Sequence, residues 1–302
     1  MRHIIISLSF LNFIFNKEIK VLKGHTSDVS SLAILAGGQL VSGSLDEKCR
    51  AWDFTTGETT RLLKESQGQI RCLVATLGGE ELAIGYTKGD IELVNSQTGH
   101  TIVVMNGHTK AISGLAVYSN SQLASASFDN TARIWSMLTG QILHLISHTD
   151  YLLSVLVLPS GDLACGSSDS TIRIWKPTSS EMLQTLRGHT GWVHSLTALG
   201  NYQFASGSRD KSVFIWCSKT WVAIRVLVGH SDYIYCVLSL PSGELASASD
   251  DLTVRVWNSN TGAELRKLEG HSSKVRSLAL LPGGELVSGS TDKTLIIWTP
   301  KK

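Results

Sequence analysis

Serine, histidine and aspartate recur together in this chain at spacings that invite a chemical reading. His25 stands 21 positions before Asp46, and the same interval separates His108 from Asp129, His148 from Asp169, His189 from Asp210, His230 from Asp251 and His271 from Asp292. Serines lie between the two members of each pair. A hydroxyl, an imidazole and a carboxylate are the parts of a nucleophilic hydrolase, in which the imidazole takes the hydroxyl proton and the carboxylate orients the imidazole. Histidine and aspartate also ligate metals. Either chemistry needs one set at one point, and here the set occurs six times, about every 41 residues over most of the chain. Each set is also closed by an indole six positions after the aspartate: Trp52, Trp135, Trp175, Trp216, Trp257 and Trp298. These residues therefore read as scaffold. No catalytic residue, metal or cofactor is expected among them.

A fixed period of this length marks a repeat architecture. The last unit, GHSSKVRSLALLPGGELVSGSTDKTLIIW (270–298), shows the plan. Val275–Leu280 reads as a first strand, Glu285–Ser290 as a second and Thr294–Trp298 as a third, because apolar and polar residues alternate between Pro/Gly turns. A fourth strand precedes the next histidine, as in SEMLQTLRGH (180–189), TWVAIRVLVGH (220–230) and AELRKLEGH (263–271). The second unit is degenerate. Glu65-Ser66 stands where Gly-His is expected, Lys88 replaces the aspartate and Val94 the tryptophan, yet ELAIGYTKGDIELVN still alternates as strands should. Counting it, there are seven units.

Gly-His, Asp and a closing Trp at this period resemble the WD-repeat β-propeller family, over residues 17–302. The second letter of the Trp-Asp pair survives only at Trp52-Asp53. The resemblance implies an all-β, seven-bladed β-propeller. The chain ends one strand short of a complete unit and begins with a spare one, KEIKVLK (17–23). The N-terminal strand should thus supply the outermost strand of the last blade, with Ile19–Leu22 beside Leu295–Trp298, closing the ring so that no sheet edge is left open there. In the family the histidine bonds the aspartate, and a serine or threonine of the second strand joins it to the indole. Ser288 and Ser290 both qualify in the last unit. Cys165 replaces the first of the two in the unit of His148, which weakens that network if the first position carries the bond.

Bulk properties narrow the partners. A net charge of +2 gives no global attraction to nucleic acid or anionic lipid, so any charge argument is local. Five scattered cysteines without zinc-ligand spacing fit reduced thiols of a cytoplasmic, or nuclear, protein. Residues 1–16 form a separate apolar extension. Its apolar run is too short to span a bilayer and is followed by Asn16-Lys17-Glu18 rather than a small-residue cleavage site. It reads as a segment packed on the ring, or as the remnant of an upstream region.

With the repeated residues assigned to structure, function belongs to positions that vary between units. If the family geometry holds, the third and fifth residues after each Gly-His, and the residue before each structural aspartate, face one rim. That rim is uneven. Tyr151, Leu153, Trp192, His194, Tyr233 and Tyr235 form an arc of neighbouring units, with Phe128 beside it, and Arg71, Arg209, Lys274 and Arg276 supply cations. Tyr, Trp and Arg dominate protein-binding hot spots, and guanidinium suits an acidic or phosphorylated segment. The expected function is a non-catalytic interaction scaffold, a monomeric ring within a larger assembly, that holds a peptide or protein on this face without contacting a membrane. An RNA-binding propeller is an alternative, because basic residues interleave with aromatics. A hydrolase-type propeller is another, with His194, Asp28 and Asp250 as its loose candidates.

Overall fold

Alternating Val, Ile and Leu between Gly, Pro and Asp turns give strands throughout the computed structural model, which describes residues 14–241 and 243–301. These strands form seven four-stranded antiparallel sheets. One sheet is typical: Val193–Leu199 is innermost, followed outward by Gln203–Ser208, Ser212–Cys217 and Ala223–Val228. The only helical turn among the described residues is the 3-10 turn Ala36–Gly38. Inner strands of successive sheets pack side by side, and the seventh packs back on the first, so the sheets are blades of a closed ring.

The core lies between blades. Every neighbouring pair of blades sandwiches a layer of buried apolar side chains. Trp135, for example, packs with Leu123 and Ile112 of its own blade against Ile91, Leu93 and Met105 of the blade before. Each layer needs both of its blades, so only a closed ring leaves no layer exposed. Serines of the inner strands tie blades together near the axis. Ser30 donates to the Ile70 carbonyl at 2.6 Å and Ser113 to that of Leu152 at 2.6 Å.

Closure follows the sequence expectation. Ile14–Lys23 pairs with Thr294–Lys301, with Ile19 opposite Trp298 and Leu22 opposite Leu295. The strand begins at Ile14, three residues ahead of the boundary expected at residue 17. The rest of the apolar N-terminal extension lies outside the described residues.

A tight turn joins the second and third strands of each blade, and it is where the structural aspartate works. The residue after each aspartate is left-handed: Glu47, Asn130, Ser170, Lys211, Leu252 and Lys293 have φ between 68° and 72°. That conformation costs a non-glycine residue about 1 kcal/mol or more. The aspartate offsets the cost by accepting the N–H two residues on, as Asp46 does from Lys48 at 3.0 Å. The degenerate second blade has Lys88 instead of the aspartate, and there the left-handed residue is Gly89, at φ 100°. Glycine removes the strain that the missing carboxylate would have offset. No side chain fits in its place, because an added Cβ would lie 2.6 Å from the His108 carbonyl oxygen.

Candidate interaction face at the mouth of the axial channel

Five blades carry the full polar network. In the fifth blade the Trp216 indole N–H donates to Ser206 Oγ at 2.8 Å, Ser206 and His189 Nε2 share a 2.7 Å bond, and His189 Nδ1 meets Asp210 at 2.6 Å. The first, third, sixth and seventh blades repeat it through Ser42, Ser125, Ser247 and Ser288. The first serine of each second strand is thus the bridge. The second serine holds the turn instead, as Ser290 does by donating to the Ser273 carbonyl and accepting the Asp292 N–H.

Ser-His-Asp distances here match those of a hydrolase, but the environment forbids the chemistry. Ser42, Ser125, Ser206, Ser247 and Ser288 have no solvent exposure, and each accepts an indole N–H. No substrate reaches such an oxygen. The network satisfies polar groups that blade packing would otherwise bury unpaired.

The fourth blade departs from the expected set of His148, Asp169 and Trp175. Cys165 stands at the bridging position, and His148 Nε2 and Trp175 Nε1 are left without partners. His148 Nδ1 accepts the Asp150 N–H at 3.1 Å instead of meeting Asp169. Asp169 is held by Arg173 at 3.0 Å and by Thr171. A thiol is too weak a donor and acceptor to organise the chain of bonds, so the histidine turns to a backbone group.

The networks set an acid limit on stability. Burial alone would raise the Asp210 pKa, but the bond and charge of His189, with Ser212 and Thr190, outweigh it and bring it to about 2. Asp129, Asp251 and Asp292 are likewise held below the usual carboxylate range by their histidines and threonines, against burial. Burial lowers the pKa of His25 and His108, with Asp46 and Asp129 opposing it only in part. Depressed carboxylates contribute stability above the unfolded value of about 4 that is lost as pH falls through the folded pKa. Depressed histidines act with the same sign, because the unfolded chain takes up protons below about pH 6.5 before the folded chain does. Melting temperature should therefore be level above about pH 7, decline below about 6.5 and fall steeply below about 4, as a calorimetric pH series would record.

The varying residues meet at one place. A cavity of about 290 Å³ is lined by side chains from all seven blades, which only the ring axis allows. Arg71, Phe128, Leu153, Trp192, His194, Arg209, Tyr235 and Arg276 line it, together with Asp28, Ser30, Leu45 and Ser113. Tyr151 and Tyr233, each 37% exposed, stand on the rim outside. Phe128 stacks on Tyr151 at 5.6 Å, and His194 on Tyr235 at 4.4 Å. The arginines lie on these rings. Arg209 is 3.6 Å from the Trp192 ring centre and 5.2 Å from that of Tyr233; Arg276 is 3.6 Å from that of Tyr235, and Arg71 5.4 Å from that of Phe128. Contact with a ring restricts each guanidinium and leaves those of its N–H groups that are not already paired available to bind.

Several assignments change in detail. Leu153 is only 3% exposed, so it is a wall of the cavity and offers a partner almost no surface. An aliphatic side chain this close to the axis packs inward, whereas His194 and Tyr235 remain half-buried. Lys274 and Arg276 are partly committed, because buried Asp250 lies 2.9 Å from the lysine and 3.3 Å from the guanidinium. Asp250 is thereby their counter-ion and no longer a candidate acid. Burial, with Arg209, Arg71 and Arg276 nearby, lowers His194 to about 3, so it is neutral. Its Nε2 accepts the Arg209 Nε–H at 2.9 Å. With its pKa far below neutral and its Nε2 lone pair already taken by a guanidinium N–H, this imidazole is too weak and too occupied to serve as a general base. Sequence reasoning passes over Lys110, which lies 5.1 Å from the centre of the Tyr151 ring. It follows His108 by two residues and so falls outside the positions considered.

Among the described residues no group of histidine, cysteine, aspartate and glutamate is disposed to hold a metal ion, and no helix is long and apolar enough to cross a membrane. Comparison with known proteins agrees with the geometry. The solved WD40 β-propeller domain of Doa1 superposes with a TM-score of 0.85 over 94% of this chain and 96% of that one, at 23% identity, a likeness of fold. The chain is 31% identical over 123 residues to the transcriptional corepressor LEUNIG_HOMOLOG of Arabidopsis thaliana, 40% of this chain and 15% of that protein. It is 26% identical over 128 residues to a guanine nucleotide-binding protein subunit beta of Solanum tuberosum, 39% of this chain and 34% of the relative. It is 29% identical over 133 residues to the ribosome biogenesis protein YTM1 of Saccharomyces cerevisiae, 36% and 29%. Each match thus spans well under half of the relative. The family model for the WD domain, G-beta repeat, matches residues 16–53, 97–136, 140–176, 180–217, 221–258 and 262–299, and leaves out residues 54–96, which hold the three inner strands of the degenerate second blade. The chain belongs to the WD40-repeat family of β-propellers.

Proposed function

We propose that this propeller is a non-catalytic interaction scaffold, and that it holds a protein or peptide partner across the mouth of the axial channel. The observation that carries this reading is the concentration of unlike residues at one end of a structurally uniform ring. Aromatic side chains and arginines gather there, half-exposed, while the repeated His, Ser, Asp and Trp side chains are consumed in packing. Rigid rings and stacked guanidiniums lose little entropy on binding, which is why such residues make hot spots. The excess of cations suits a partner segment that is acidic or phosphorylated. The relatives fit the class: by name one is a transcriptional corepressor, one a subunit of a guanine nucleotide-binding protein and one a ribosome biogenesis protein.

The test is capture of partners from a cell extract by the wild-type chain and by a Tyr233→Ala/Tyr235→Ala/Arg276→Ala variant. Proteins held by the face should be missing from the variant's set. In a quantitative assay with any captured partner, Trp192→Ala should weaken binding by about 2 kcal/mol, near 30-fold, with little change in melting temperature. An identical set of captured proteins from both chains would move the binding surface elsewhere on the ring.

A further inference from the structure

The channel mouth holds more positive charge than its own acids balance. Arg71, Arg209, Arg276 and Lys274 contribute four positive charges, and Asp28 and buried Asp250 two negative ones, which leaves two positive. His194 adds none, being neutral. The surplus is not diffuse. Asp250 is one charge set against Lys274 and Arg276, and Asp28 acts on Arg71 from further off, so each group keeps one positive charge in surplus. Arg209 has its Nε–H on His194, which turns its remaining N–H groups to other acceptors. Arg71 has a ring and more distant charges for company, and neither an ion pair nor a hydrogen-bonded acceptor among the described residues. Burial depresses its pKa. A half-buried guanidinium left without an anion is costly unless a ligand supplies one.

We infer that the mouth is a receptor for a phosphate monoester carried by a partner chain, a phosphorylated Ser, Thr or Tyr side chain. This rests on the reading that a partner docks on this face. A carboxylate brings one charge and two oxygens, enough for one guanidinium fork. Three guanidiniums from the second, fifth and seventh blades line a single cavity here, and an acceptor that meets edges from three sides needs more oxygens than that. A phosphoryl group has three acceptor oxygens and, at neutral pH, close to the two negative charges that the mouth lacks. The ring faces of Trp192, Tyr235 and Phe128 hold the guanidiniums in place before the ligand arrives. The phosphate then finds donors that need no reordering.

The experiment is calorimetric titration of the whole chain with three five-residue peptides alike except at the centre, which is phosphoserine, glutamate or serine, and with inorganic phosphate. The phosphoserine peptide should bind at least about tenfold more tightly than the glutamate peptide. Inorganic phosphate should compete with it. Arg71→Gln should remove about tenfold or more of the affinity at an unchanged or raised melting temperature, and Asp28→Asn should raise the affinity. Equal affinity for phosphoserine and glutamate, or no effect of Arg71→Gln, overturns the inference. Phosphatase treatment of the extract separates it from the docking reading. Capture that survives dephosphorylation, yet still depends on Tyr233, Tyr235 and Arg276, sinks the phosphate and leaves the docking face standing. Tight binding of the phosphoserine peptide alongside unchanged capture by the triple variant does the opposite.

Discussion

Ser206→Ala should cost the chain about 3 kcal/mol, because one small substitution orphans two buried groups at once. The hydroxyl has no solvent exposure; it accepts the Trp216 indole N–H at 2.8 Å and bonds His189 Nε2 at 2.7 Å. Each buried polar group left unpaired costs about 1–3 kcal/mol. Packing is barely disturbed by the loss of one oxygen, so the penalty is almost wholly electrostatic. Melting should fall by roughly 5 °C in calorimetry for a domain of this size. The fourth blade supplies the reverse experiment. His148 Nε2 and Trp175 Nε1 are already without partners beside Cys165. Cys165→Ser should raise stability, by about 1 kcal/mol and less than the loss above. The gain is smaller because His148 Nδ1 accepts the Asp150 N–H, and the ring must turn again to reach Asp169. Melting shifts of the same sign in the two variants would show that the hydroxyl bridge is not what stabilises a blade.

The ring is legible in the sequence because its physics is repeated. Six near-copies and one degenerate unit average away the ambiguity of any one, so the unit count and the spare N-terminal strand can be read from spacing, while the closed ring is what the resemblance to the WD-repeat family implies. The bridging serine cannot. Ser288 and Ser290 lie two apart and point to the same face of the strand, so alternation does not separate them. Only the distance to His271, 2.8 Å for Ser288, decides. The compensation in the second blade is written in the sequence but shows its meaning only beside the backbone angles: Lys88 at the aspartate position is followed by Gly89, and a lost carboxylate beside a gained glycine is one physical statement. The rim is legible in composition but not in pairing. Asp250 neutralises cations 24 and 26 positions away in the next blade, and His194 holds Arg209 across 15. The first of these depends on how two blades abut and the second on how side chains settle within one blade, and period and pattern leave both open. Leu153 shows the same limit, since one spacing rule places Leu153 and Tyr235 alike and their chemistry sets them apart.

Removing residues 1–23 should have the largest effect of any change, abolishing the cooperative folded state. That strand completes the seventh blade, and with it go the bonds to Thr294–Lys301 and the side chain of Leu22, which is fully buried. Leu22 packs with Leu40 and Trp52 of the first blade and Val287 and Leu295 of the seventh, so it sits in the seam itself. Leu22→Ala alone should cost about 2–5 kcal/mol. Lys20 adds a second tie, reaching the Phe54 carbonyl of the first blade at 3.2 Å. Loss of the whole strand removes a layer of core and opens an apolar sheet edge, against a total stability that is typically about 5–15 kcal/mol. The truncated chain should therefore aggregate, or melt without a sharp transition, in calorimetry and size-exclusion chromatography. A synthetic peptide of residues 14–23 added in trans should restore part of the transition, because the missing piece is a strand with a preformed slot. The seam also runs through the channel mouth: Asp28 of the first blade and Arg276 of the seventh line the same cavity from either side of it. Peptide rescue of melting should thus bring back affinity at the mouth in the same proportion. A truncated chain that melts like the full one and keeps that affinity would mean that the ring is held shut by its inner strands alone.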